Sequence, residues 1–255
     1  MSELPRSLRV EAVVLRHSDW GEADRMLTLY TREQGKLRAV AKGARRLRSR
    51  KAGHLQPFTR VALLLARGHD IWIVNQAETV DAYLPLRENL LCVGYASYVI
   101  ELLDRFTYEE EQMTALYTLL VDTLERLSQG EDFFLVVRYY EIHLLNLMGF
   151  RPELVHCVGC QTLIKPEAQY FSNSMGGILC PRCGKTGVDS GAQPVAMDTL
   201  RYMRHFQRSN FSEAQRARNI QPAIQTEMEA ILQGYLIYVL ERNLKTPAFL
   251  RAVKG

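Results

Sequence analysis

The chain has 255 residues, 47% of them hydrophobic, with 32 Lys and Arg against 28 Asp and Glu. That length holds one large domain or two or three small ones, and the apolar share suffices for real cores. No window approaches the roughly 18 consecutive apolar residues of a membrane span, and Met1 to Leu15, with Glu3, Arg6, Arg9 and Glu11, lacks the apolar core of a secretory signal. Five cysteines, four of them in two CxxC pairs, suit a reducing compartment and a metal better than a disulfide framework, so a cytoplasmic protein is expected.

Up to about residue 80 the pattern is one of short strands broken by turn signals. Leu8 to Leu15, Met26 to Thr31, Lys36 to Ala41, Arg60 to Leu65 and Ile71 to Asn75 are rich in aliphatic and aromatic residues, with Gly21, Gly35, Gly43, Gly53, Pro57 and Gly68 between or beside them. Five such strands without a helix predict a small closed barrel of the OB type over residues 1–80. On the third strand, the two-residue period puts Lys36 and Arg38 on the outer face and Leu37, Ala39 and Ala41 inside.

After Pro85 the period becomes helical. Leu91 to Phe106, Met113 to Leu127 and a run from a capping Asp132 to Met148 predict three helices, the last stopped by Gly149. Residues 161–194 read as irregular and glycine-rich. Asp198 to Arg208 and Pro222 to Asn243 predict two further helices. The fold class is therefore α+β: an N-terminal five-stranded barrel (1–80), then a helical domain in two parts (81–152 and 196–255) with a cysteine module inserted at 153–195.

The charge distribution is the sharpest signal for a partner. From Gln34 to His69 there is no Asp or Glu, while ten positions are Lys or Arg: 36, 38, 42, 45, 46, 48, 50, 51, 60 and 67. Without these ten, 22 basic residues face 28 acidic ones, so a strongly cationic surface sits on an acidic body. A concentrated single-sign patch steers polyanions and releases their condensed counterions. Lys36, Arg38, Lys42, Arg45, Arg46, Arg48, Arg50 and Lys51 are the candidate nucleic-acid contacts, with Trp20, Tyr30, Phe58 and Trp72 as candidate stacking platforms.

Cys157, Cys160, Cys180 and Cys183 form CxxC-x19-CxxC. Two residues between thiolates let both sulfurs of a tight turn face one cation, and two such turns complete a tetrahedral shell. With all four positions filled by protein, a zinc ion there would be structural. His156 is an alternative ligand. Cys92, on an apolar-periodic helix, reads as a core residue. No Walker A loop, GxSxG, HExxH or GxGxxG is present, so catalysis has no visible home.

Together these residues resemble the bacterial recombination mediator family RecO. The resemblance is carried by Val13-Val14-Leu15, Gly21-Glu22-Ala23-Asp24-Arg25, Leu29 through Lys36, Ala41 through Arg46, Leu55-Gln56-Pro57-Phe58 and Gly149-Phe150-Arg151-Pro152. It implies an OB domain, a helical domain and the four-cysteine zinc module that some members keep. It also implies a non-enzymatic protein that binds single- and double-stranded DNA and anneals strands coated with single-strand-binding protein. Such a protein acts with RecR to load RecA, with DNA contacts on Lys36, Arg38 and the Lys42 to Lys51 loop. Gly21, Glu22 and Asp24 are expected to hold a turn of the barrel. Two other readings stay open: an OB-fold RNA-binding or ribosome-associated protein with a structural zinc, and a zinc-dependent hydrolase or deaminase.

Overall fold

The computed structural model describes residues 6–109, 111–217 and 219–254. Glu3, one of the charges that argue against a secretory signal, lies outside the described residues. Contacts divide the chain into two units, Met1–Glu131 with Thr246–Gly255, and Asp132–Lys245. The divisions drawn from composition after residues 80, 152 and 195 mark changes of secondary structure, and as folding units they are a proposal that limited proteolysis would test.

In the first unit, β1 (Ser7–Trp20), β2 (Asp24–Thr31), β3 (Gly35–Ala41), β4 (Arg60–Arg67) and β5 (Trp72–Asp81) close into a barrel in the order β1-β2-β3-β5-β4. All pairings are antiparallel except β3 with β5, the arrangement of a Greek-key barrel of the OB type. The interior is filled by alternate residues, including Val10, Ala12, Val14, Leu27, Leu29, Leu37, Ala39, Val61, Leu63 and Val74. A register shift between Val14 and Arg16 bends β1, which pairs with both β2 and β4. β1 and β5 run past their expected ends because ladder pairing continues through polar residues, such as Ser18 opposite Met26 and Glu78 opposite Ala62.

The β2–β3 turn requires glycine. Gly35 has φ +65°, and a Cβ there would sit 1.9 Å from the Glu111 carbonyl oxygen. Gly35→Ala is therefore expected to cost about 2–3 kcal/mol, as a lower midpoint in urea unfolding. Replacement at Gly21, which has φ +55° but open space around it, should cost less.

The same unit carries α1 (Pro85–Glu88), α2 (Leu90–Phe106), α3 (Thr114–Ser128) and α9 (Thr246–Lys254). Asn89 caps α2, its side chain accepting from the Leu91 and Cys92 N–H groups. Cys92 is buried, which pushes its thiol pKa up, as suits a core residue. α9 lies beyond the last helix expected from the sequence. It packs on α2, where a Cβ on Gly94 would come within 2.7 Å of Leu250, and Thr246 donates through N and Oγ1 to Glu101 at 2.9 and 2.7 Å.

Glu11 ties the barrel to α3. Its carboxylate accepts from Arg60 Nε at 2.7 Å and from Tyr117 Oη at 2.9 Å. Partial burial works to raise the Glu11 pKa, but the Arg60 and Tyr117 hydrogen bonds outweigh it and hold the group below the usual carboxylate range. The resulting stability is present above the unfolded-state pKa and is lost as pH falls through the folded-state value. Glu11→Gln should cost about 1–2 kcal/mol at neutral pH. The gap from wild type should close in thermal melts taken at progressively more acid pH.

In the second unit, α4 (Phe133–Leu147) begins at Asp132, whose side chain accepts from the Leu135 N–H at 3.1 Å. α6 (Met197–Arg208), α7 (Phe211–Ala214) and α8 (Pro222–Leu240) complete its helices, with Leu144, Phe206 and Leu232 fully buried. Between α4 and α6 the chain is more ordered than expected. β6 (Gln169–Ser172), β7 (Gly177–Leu179) and β8 (Gln193–Val195) form an antiparallel sheet in the order β7-β6-β8, and α5 (Pro181–Lys185) follows β7. Strands of three and four residues are too short to display an alternation pattern.

Candidate nucleic-acid interface and metal centre

The segment between β3 and β4 begins as a tight turn and is pinned at both ends. Gly43 (φ +64°) donates its N–H to Asp24 Oδ1 at 2.7 Å, and Arg45 donates its N–H to the Ala23 carbonyl. Asp24 thus holds the loop root on the β1–β2 hairpin, the turn-holding role expected of it. Ala44 and Leu55 sink into the barrel core, and Lys51 Nζ donates to the Val74 carbonyl at 3.0 Å. Lys42, Arg45, Arg46, Arg48 and Arg50 stand exposed on this frame. Arg45 pairs with Asp19 at 3.2 Å, whereas among the described residues Lys42, Arg46, Arg48 and Arg50 have no carboxylate in ion-pair range.

The two strand cations are placed differently. Both point outward, as the period requires, but the chain after α2 returns across them. Lys36 Nζ meets Asp104 Oδ1 at 2.9 Å and donates to the carbonyls of Asp104 at 2.6 Å and Thr107 at 2.9 Å. With only 13% of its side chain exposed and two carbonyls accepting from its Nζ, Lys36 fastens barrel to helix and is turned away from any phosphate at the surface. Arg38 remains exposed, its Nε paired with Glu109 Oε1 at 2.5 Å. Arg60, counted in the basic patch, is engaged by Glu11. Sequence reasoning missed Asp104 and Glu109 because they meet the barrel from some 70 residues away, and no spacing signals that contact.

Of the candidate stacking residues, Tyr30 is fully buried and Phe58 is 9% exposed, so neither can receive a base. Trp20 is 54% exposed at the end of β1. Trp72 leans partly on the barrel core. Both border a groove of about 870 Å³ on the barrel surface, with Arg16, Arg38 and Arg67 also in its lining.

In the second unit the four cysteines converge. The sulfurs of Cys157, Cys160, Cys180 and Cys183 all lie within 4.8 Å of one another, and the Cys160–Cys180 pair is 3.8 Å apart. Metal–sulfur bonds of about 2.3 Å in a tetrahedron require sulfurs about 3.8 Å apart, so the set fits a zinc-sized ion. The backbone favours thiolates here. Burial opposes ionisation of Cys157, but N–H groups of Cys180, Cys160 and Gly159 outweigh it and lower its pKa. The Thr162 hydroxyl and N–H hold Cys160 down to about 5. Burial, and then the neighbouring sulfurs, push Cys183 up to about 12, a proton that a central cation would displace. Gly159 lets the two turns close, since a Cβ there would lie 3.2 Å from the Cys183 sulfur. His156 is outside the cluster.

Comparison with known proteins agrees with these features over nearly the whole chain. The family model described as Recombination protein O N terminal matches residues 2–83, and that described as Recombination protein O C terminal matches residues 87–248. A DNA repair protein RecO of Roseiflexus sp. is 40% identical over 249 residues, covering 98% of this chain and 87% of the relative. Proteins of the same name from Pelotomaculum thermopropionicum and Desulforudis audaxviator are 39% and 38% identical, covering 95% and 96% of this chain and 93% and 97% of theirs. Among the described residues, no helix is long and apolar enough to cross a membrane.

Proposed function

The chain belongs to the RecO family, and from that premise we propose that it is a non-enzymatic mediator of DNA repair that binds single- and double-stranded DNA and anneals complementary strands. In this role it works in the cytoplasm with RecR and single-strand-binding protein to help load RecA. The observation that carries the DNA-binding part is the anchored loop, where Lys42, Arg46, Arg48 and Arg50 are exposed and without a carboxylate partner among the described residues. Arg38 and Arg45 join them once a phosphate replaces their carboxylates. Lys51 contributes charge from its place against β5, and Lys36 contributes structure.

Annealing needs two polyanions brought together. A cationic loop screens phosphate repulsion between strands, and guanidinium groups hold phosphates in a planar fork while leaving bases free to pair. No bond is made or broken in the nucleic acid, so no catalytic centre is required. The cysteine cluster supplies structure: with four thiolates on one zinc, no coordination position is left for water, which argues against a hydrolase or deaminase.

The test is a strand-annealing assay with complementary oligonucleotides coated in single-strand-binding protein, run with and without this chain. Acceleration is expected. An unchanged annealing rate would refute the reading, and strong preference for RNA over matched DNA would transfer it to an OB-fold RNA-binding protein.

A further inference from the structure

The four cysteines of the cluster are not equivalent. Cys157 and Cys183 are buried, whereas Cys160 and Cys180 are half-buried, and these two sulfurs lie 3.8 Å apart. Cys160 also has two polar neighbours. The Thr162 hydroxyl lies 3.1 Å from its sulfur, and the exposed Arg182 side chain hydrogen-bonds the same sulfur. A zinc shell already holds Cys160 as a thiolate. A hydroxyl and a guanidinium beside it add donors where an incoming oxidant would arrive.

Attack by a cysteine on a hydroperoxide needs three things: an accessible thiolate, donors to stabilise the departing oxygen, and a second sulfur to trap the product. Cys160 is the accessible thiolate, Thr162 and Arg182 are the donors, and Cys180 is the second sulfur. Cys157 is a poorer trap. It is fully enclosed, and its sulfur already accepts the Cys180 N–H at 3.3 Å.

Resting on the zinc reading given above, we propose that Cys160 is a site of oxidation by hydroperoxides, that Cys180 resolves it, and that the bond they form expels the zinc ion. In the first step the Cys160 sulfur attacks one peroxide oxygen. An S–O bond forms, the O–O bond breaks, and hydroxide leaves with that bond's electron pair, giving a sulfenic acid. In the second step the Cys180 thiolate attacks the Cys160 sulfur. An S–S bond forms, the S–O bond breaks, and a second hydroxide leaves. Two electrons pass from the sulfur pair to hydrogen peroxide, which becomes two hydroxide ions. The sulfurs close from 3.8 Å to about 2.05 Å, and only Cys157 and Cys183 remain as ligands, half of a tetrahedral shell. A dithiol reductant reopens the disulfide and lets zinc return. The order of the module thereby becomes sensitive to oxidant.

The test uses the full zinc-loaded chain, hydrogen peroxide and a chromogenic zinc chelator. Peroxide should release the zinc, and digestion without reductant should recover peptides joined through Cys160 and Cys180. Dithiothreitol with added zinc should restore the metal. Arg182→Ala should load with zinc as the wild type does and release it roughly tenfold more slowly under peroxide, while Arg182→Lys keeps most of the rate. A purely structural Arg182 predicts the opposite, faster loss of zinc from the alanine variant with or without peroxide. If the chain purified under reductant binds no zinc, the metal reading falls and this proposal with it. Zinc retained under peroxide, a disulfide joining other cysteines, or release from Arg182→Ala that is not slowed overturns this inference alone.

Discussion

Replacing Lys42, Arg45, Arg46, Arg48 and Arg50 together with alanine is expected to abolish strand annealing and to weaken DNA binding by roughly three orders of magnitude near 0.1 M salt. About five neutralised phosphates give a single-strand slope of about −3.5 in log affinity against log salt, so a fourfold rise in salt should cost the wild type about a hundredfold. The five-alanine variant should show a slope much nearer zero. Its melting temperature should stay close to that of the wild type, because all five side chains are exposed and the loop is held instead by Ala44, Leu55 and the Asp24–Gly43 hydrogen bond. A variant that melts normally and still anneals removes the loop from the mechanism. Leu55→Ala is the complementary control: it keeps every charge but frees one end of the loop. It should reduce annealing by less than the charge removal while costing about 2–5 kcal/mol of stability.

What was legible in the sequence divides along the range of the interactions. The barrel strands and the long helices α2, α3, α4, α6 and α8 follow from local periodicity, and Asp132 as the α4 cap follows from residue type. The cysteine cluster was legible because its geometry is written into two short spacings. The role of Lys36 was not. Its period-2 position correctly turns it away from the barrel interior, yet only the fold brings the end of α2 over that face and converts a candidate phosphate ligand into an internal tie. Tyr30 fails as a stacking platform for a similar reason, since outward from one sheet still means buried when other elements cover it, and Phe58 is buried in the turn that precedes β4. The short strands β6, β7 and β8 carry too few residues for a pattern, and the pairing of Tyr170 with both Leu179 and Pro194 is settled by long-range contact. Glycine spacing within the module does have a physical counterpart: a Cβ on Gly184 would lie 2.2 Å from the Tyr170 ring.

Cys157→Ser is expected to lose the metal and loosen the module from residue 153 to 195 while leaving DNA binding within about threefold of wild type. Cys157 is fully buried, and its sulfur accepts the Cys180 N–H at 3.3 Å, so its loss removes one ligand and one link between the two cysteine turns. Structural zinc contributes on the order of 10–16 kcal/mol of apparent binding free energy in small zinc-binding peptides at neutral pH, and in such sites binding and folding are one equilibrium. The module has a modest apolar core of its own, including Leu154, Ile164, Phe171, Ile178 and Val195, so partial rather than complete unfolding is the expected outcome. Metal content by atomic emission should fall from one ion per chain to near zero, and amide exchange should accelerate in β6, β7 and α5 before it does in the barrel strands. Acidification should mimic the substitution, because protons compete for thiolate ligands and the equilibrium shifts toward the metal-free form as pH falls. A metal-free variant with wild-type exchange protection across the module would show that the sulfurs serve something other than its fold, and retained zinc beside a lost annealing activity would point to Cys157 acting on the DNA-binding unit.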